Sequence, residues 1–190
     1  MRVLVLGIGN ILIGDEGAGV IFLEYFRKNL APNPLIQEEF KNGISTQLVF
    51  LDGGTMAMNL AHIIADFDKV YVIDCINADD LEVGDVVFFD YKQVPTNINY
   101  QGSAHELEMQ MMLNFMNLVG DLPECKILGI VPNRLEPMKI GLSESIQKSF
   151  VKLQKTLLNE LNKDGFNLEF KGDFSIEKAI SNYRNLSSVN

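Results

Sequence analysis

Val3-Leu-Val-Leu6 is an unbroken apolar run that ends at Gly7 and Gly9, and a helical pattern begins near Asp15. Apolar runs with β-branched residues and no alternation suit a strand buried on both faces, as in a parallel sheet covered by helices. Open sheets of that kind bind ligands at their carboxyl edge, where strand-to-helix turns bring out polar groups. The turn here does not suit a nucleotide. A dinucleotide fingerprint needs a third glycine where Leu12 stands, and a P-loop needs Lys then Ser or Thr where Asp15 and Glu16 follow Gly14. Two carboxylates repel a phosphate, so the expected guest is cationic.

The rest of the chain repeats the strand-then-helix alternation. Leu48–Leu51 runs into Asp52-Gly53-Gly54-Thr55, Val70–Ile73 into Asp74-Cys75, and Ile127–Val131 into Pro132. Val86–Phe89 reads as an antiparallel or edge strand, and Phe166, Leu168 and Phe170 alternate like a short final one. Helical patterns cover Glu16–Leu30, Met56–Phe67, a stretch from Ser103 to about Val119, and a long stretch from Ser143 to Gly165. Ser103 and Glu106 fit a capping box. Residues 31–46 read as a polar connection whose short Ile36–Phe40 centre is ambiguous, 90–102 as a loop, and 171–190 show no strong pattern beyond a possible short helix. These signals predict an α/β protein: a single three-layer domain, with a twisted, mostly parallel five-stranded sheet and helices on both faces. The domain is expected over residues 1–170, with 171–190 a C-terminal tail, partly disordered.

Bulk properties narrow the partners. The 190 residues suit one domain with a sizeable core. A formal net charge of −9 argues against nucleic acid or an anionic membrane as the main partner. The amino-terminal apolar run is too short for a membrane span or signal peptide. Two cysteines, Cys75 and Cys125, make no disulfide framework, so a reducing cytoplasm is expected.

The parallel topology places the polar residues past Gly7, Leu51, Ile73 and Val131 along one edge. Asn10, Asp15, Glu16, Asp52, Thr55 and Asp74 are the result. Asp15 and Glu16 also suit a helix first turn, where acids offset the dipole. Asp52 before two glycines also suits an Asx turn. Asp74 abuts four apolar strand residues, where a carboxylate is costly unless paired or metal-bound. Of the two histidines, His62 lies mid-helix among isoleucines and reads as structural. His105 sits second in its helix, where the dipole disfavours the protonated ring, and a neutral imidazole is what a metal takes. Two carboxylates and one imidazole with open positions resemble a divalent transition-metal site. The separation of residues 16, 74 and 105 makes this depend on the sheet geometry rather than on a local motif. Cys75 as a nucleophile with His105 as base is opposed by the acids around it, which disfavour a thiolate. The methionines of the 104–119 helix suit adaptable core packing.

With these residues in view, the chain resembles the hydrogenase maturation endopeptidases over about residues 1–165. Five ordered motifs carry the likeness. Gly7-x-Gly9-Asn10-x-Leu12-x-x-Asp15-Glu16-x-x-Gly19 opens, with Glu16 where many members have Asp, and Leu51-Asp52-Gly53-Gly54-Thr55 and Ile73-Asp74 follow. His105 stands in the family's histidine position, and Gly129-Ile-Val131-Pro132, Glu136-Pro137 and Gly141-Leu142-Ser143 close the series. The resemblance implies an aspartic-type endopeptidase that removes the C-terminal extension of a [NiFe] hydrogenase large-subunit precursor. It implies that Glu16, Asp74 and His105 are catalytic and bind nickel, an ion carried by the precursor rather than a resident cofactor. Asn10, Asp15, Asp52, Gly53, Gly54 and Thr55 would shape the substrate cleft. No nucleic acid and no membrane insertion are expected, and the chain is expected to be a monomer or weak oligomer. The alternative is a nickel-binding accessory protein without peptidase activity.

Overall fold

Strand pairing follows the apolar runs. The structure, a computed structural model, describes residues 1–32, 38–41, 44–76, 80–93, 104–133 and 135–187; the side chains of 38–41, 44, 45, 57, 104–106, 186 and 187 lie outside that description. β1 (Arg2–Ile8) is paired in parallel with both β4 (Ile44–Gly54) and β5 (Lys69–Cys75), and β5 in parallel with β7 (Glu124–Ile130). β6 (Val86–Asp90) closes one side antiparallel to β7. These are the five strands expected, in a mostly parallel sheet. A sixth joins them: β3 (Glu38–Lys41) lies antiparallel to β4, so the sheet order is β3-β4-β1-β5-β7-β6. The sequence reads 31–46 as a polar connection on account of Pro32, Pro34, Asn42 and Gly43 and leaves its Ile36–Phe40 centre ambiguous; the structure forms a strand over Glu38–Lys41. Charged residues suit an edge strand, because they discourage pairing with another chain.

Alternation along β1 sends Val3 and Val5 to one face and Leu4 and Leu6 to the other, and all four are fully buried. The first face carries α1 (Ala18–Lys28), α4 (Glu144–Lys163) and α5 (Ile176–Ser187). Phe150 of α4 stands edge-on to Phe22 of α1, ring centroids 5.1 Å apart. The second face carries α2 (Ala61–Ile64) and α3 (Ala104–Val119). Met109, Met112 and Met116 fill the core there, as expected of soft side chains, whereas Met111 and Phe115 of the same helix are exposed.

The structure departs from expectation at three elements. Met56–Phe67 is not one helix but a 3₁₀ turn, Ala57–Leu60, and the four-residue α2; short bonds from Asp66 N to the Ile63 carbonyl and from Phe67 N to the Ile64 carbonyl end it. Phe170 belongs to a two-residue strand, β8 (Glu169–Phe170), that pairs with β2 (Leu30–Ala31) outside the main sheet. The tail beyond 170 is not loose in its described part, since α5 buries Ala179 and Ile180 against the first face. Asn29, itself buried, fixes its approach: Nδ2 donates to the Phe174 carbonyl at 2.8 Å and Oδ1 accepts from Phe174 N at 2.8 Å. Ser103 of the expected capping box lies outside the described residues. Ser143 occupies the N-cap of α4, with its hydroxyl bonded to that of Ser145.

Candidate active site

Register places the acids. Gly7 pairs with Asp52 on one side and Ile73 on the other, and Asp74 pairs with Gly129. Asp52 and Asp74 therefore leave the sheet at the same edge, flanking β1. Two glycines let the next segment fold down onto that edge. Gly9 has φ +141°, and a Cβ on it would collide with the Glu16 carbonyl, so glycine alone lets the 3₁₀ turn Gly14–Gly17 lie back over β1. A Cβ on Gly19 would run into the carbonyl oxygens of both Ile8 and Ile73, so α1 begins directly against the ends of two strands. The close-packing glycine that a dinucleotide motif keeps at its third position is displaced here to position 19.

Asp15 and Glu16 then differ sharply in surroundings. Each is 2% exposed. The Asp15 carboxylate accepts from two backbone N–H groups, Ser143 at 2.6 Å and Asn133 at 3.1 Å, and the Asp15 carbonyl accepts from Cys75 Sγ at 3.0 Å. Asp15 thus fastens the loop between β7 and α4 to the end of the sheet. Gly14 N and Lys139 N exchange further bonds with Lys139 O and Leu12 O across the same seam. Glu16 is the opposite case: both carboxylate oxygens are buried and neither has a hydrogen-bond partner among the described residues. A buried carboxylate in that condition is costly unless a cation or a donor joins it. The donor chemistry fits a divalent metal ion.

Asp74 is 5% exposed. Its chain neighbour Cys75 touches Asp15, the chain neighbour of Glu16, so the two acids are attached to a contacting pair. Cys75 is fully buried with its thiol turned to a carbonyl, which leaves a nucleophilic role no access to substrate. His105 is the second residue of α3, as expected, and its side chain lies outside the described residues. His62 is on α2, exposed. Among the described residues no group of three metal-ligating side chains is assembled.

At the Asp52 end of the same sheet edge opens a cleft of about 390 Å³ lined by Asn10, Asp52, Gly54, Thr55, Leu12 and Tyr183. Gly53 is absent from the lining and packs toward Ile8, Leu6 and Leu60. Asn10 Oδ1 accepts from Leu12 N at 3.0 Å and Asp52 Oδ1 from Gly54 N at 3.0 Å, so both side chains brace their own turns. The second Asp52 oxygen accepts from the Tyr183 hydroxyl at 3.0 Å. Burial, then the charge of Asp52, pushes the Tyr183 hydroxyl well above the ordinary tyrosine range, so it stays a donor. Tyr183 has no signal in the sequence; it reaches the cleft from 131 residues away.

Fold and site together define an α/β protein with buried acids at the carboxyl edge of its sheet and a cleft lined by Asp52 at that edge. A family model described as hydrogenase maturation protease matches residues 34–160. HydD of Wolinella succinogenes is 40% identical over 120 residues, 63% of this chain and 76% of that protein. The hydrogenase 2 maturation protease of Escherichia coli is 28% identical over 166 residues, 87% of this chain and 93% of that one. Among solved structures, the hydrogenase maturating endopeptidase HybD from E. coli superposes with a TM-score of 0.74 at 27% identity, covering 91% of this chain and 99% of that one. The chain belongs to the hydrogenase maturation protease family, and is a hydrolase of that kind. No helix among the described residues is long and apolar enough to cross a membrane.

Proposed function

We propose that this protein removes the C-terminal extension from the nickel-loaded large-subunit precursor of a [NiFe] hydrogenase. The observation that carries the reading is the pair of buried Glu16 oxygens at the carboxyl edge, which have no hydrogen-bond partner among the described residues. In this reading nickel arrives as part of the substrate and no resident cofactor is needed. Glu16, Asp74 and His105 take the ion, and Asn10, Asp52, Gly54 and Thr55 hold the chain to be cut. A bound divalent ion polarises a neighbouring carbonyl or lowers the pKa of a water, and either assists peptide hydrolysis.

If carboxylates instead perform the acid–base work, as an aspartic-type grouping implies, Glu16 and Asp74 are the groups for it. Asp15 is not, because its oxygens already hold two backbone N–H groups. Neither cysteine is in a disulfide and both are buried, which suits a reducing cytoplasm, and a monomer or weak oligomer suffices for the reaction.

The test incubates the protein with nickel-loaded and nickel-free precursor and follows shortening of the large subunit on a gel. Only loaded precursor should be cut, and Glu16→Ala, Asp74→Ala and His105→Ala should each abolish cutting. Equal cleavage of nickel-free precursor overturns the gating role of the ion; nickel binding with no shortening makes the protein an accessory binder instead.

A further inference from the structure

The terminal helix α5 lies outside the span that the family model matches, 34–160, yet two consecutive residues in it fasten it to two other elements, and the first of them, Tyr183, lines the cleft. Tyr183 donates to Asp52 Oδ2 at 3.0 Å, on the β4 side. Arg184 donates to the Ile140 carbonyl through Nη2 at 2.9 Å and Nε at 3.2 Å, on the side of the β7–α4 loop. The helix is fixed at its far end by Asn29 and along its body by the burial of Ala179 and Ile180. It is a strap, anchored on the first face and fastened to Asp52 on one side and to the β7–α4 loop on the other.

We propose that Tyr183 is a positioning residue that sets the shape of the substrate cleft by holding Asp52, and that its ring sets where that cleft ends. The contact continues inward: Asp52 Oδ1 holds Gly54 N, and the Gly54 carbonyl accepts from Gly9 N at 3.0 Å. One hydroxyl on α5 is thereby connected to the floor of the cleft and to the turn that carries Glu16. Asp52 and Tyr183 also line a second, larger cleft of about 710 Å³, between α1, the end of β4 and α5, where Leu23, Arg27 and Phe50 stand. The Tyr183–Asp52 pair is therefore the partition between two adjoining hollows. A peptide extension held in the smaller one stops at that partition. The role in substrate binding rests on the proposed peptidase function; the positioning of the Gly54 turn does not.

The experiment separates the two. Tyr183→Phe removes only the hydroxyl and Asp52→Asn weakens the acceptor. Each should raise KM for nickel-loaded precursor about five- to ten-fold, the scale of one hydrogen bond, while kcat holds within about two-fold. The double variant should be no worse than either single one, because the two share one contact. Lys178→Ala, an exposed change on the same helix, should leave KM where it is. Tyr183→Ala should open the partition and favour precursors with bulkier extensions relative to the native one. Independently of any substrate, hydrogen exchange at the Gly54 amide should quicken in Tyr183→Phe with an unchanged melting temperature. Unmoved exchange, additive KM effects, or a fall in kcat with KM fixed each overturns the proposal. If the wild-type protein cuts no precursor while the Gly54 amide still loses protection, the peptidase function fails and the positioning role stands.

Discussion

Asp15 and Glu16 are adjacent, equally buried and chemically alike, yet one is saturated and the other bare. That contrast assigns them different work. Asp15 holds structure, and its loss leaves two N–H groups without acceptors. Glu16 costs the fold something, because nothing among the described residues compensates its burial. Glu16→Gln should therefore abolish processing without lowering the melting temperature, and thermal unfolding of the purified variant checks it. A fall of several degrees would mean that the charge is already paired. At this scale the sequence was informative about residue type and silent about partner. The acids at 15, 16, 52 and 74 were legible because parallel strands deliver their ends to one edge. The division of labour between 15 and 16 was not, since the N–H groups that decide it lie 118 and 128 residues away.

Among the elements, α1 depends on how closely its first turn approaches the strand ends. Gly19→Ala puts a methyl group into two strand carbonyls at once, and backbone has to move to relieve it. Overpacking of this kind typically costs about 1–3 kcal/mol, and contact with backbone on both sides puts this case at or above the upper end. Urea unfolding should show a lower midpoint at an unchanged slope, and an unchanged midpoint would mean that α1 shifts freely. The strands of the main sheet other than β3 were readable because each is a short apolar run closed by glycine, aspartate or proline. β3 was ambiguous in the sequence because its four residues are mostly charged, and α5 was legible only as a possible short helix because it buries only Ala179 and Ile180 deeply and is held by a side-chain clamp at Asn29 that no periodicity reports. The short α2 was over-read, since its apolar residues continue past the point where its hydrogen bonds tighten and stop.

For the whole molecule, the edge of the sheet opposite the active site is an ionic seam. Asp164, at the end of α4, accepts from Lys69 Nζ at 2.8 Å and from the Tyr71 hydroxyl at 2.6 Å, and Lys69 also pairs with Glu124 at 3.2 Å. Burial and the neighbouring Asp164 push Tyr71 far above the ordinary tyrosine range. For Lys69, burial works downward, but the hydrogen bond and charge of Asp164 outweigh it and the net direction is up. Both groups are thus held protonated more firmly in the folded chain. Their stabilisation is complete below about pH 10, the unfolded value for tyrosine, and drains away as pH rises beyond it. Urea midpoints measured from pH 8 to 11 should fall above about pH 10, and Tyr71→Phe should fall less steeply over the same interval. An equally steep decline in the variant would remove Tyr71 from the account.

The turn from Gly9 to Gly19 carries a consequence for how such a chain can diverge. Its two ends are pinned by backbone collisions, and its middle presents a fastener and a bare acid on successive residues. Side chains within it can be exchanged so long as those contacts are kept. Its length cannot, because one inserted residue would swing fastener and acid to new bearings together. An insertion within those eleven positions therefore disturbs the site itself, whereas a surface loop away from it tolerates one at little cost.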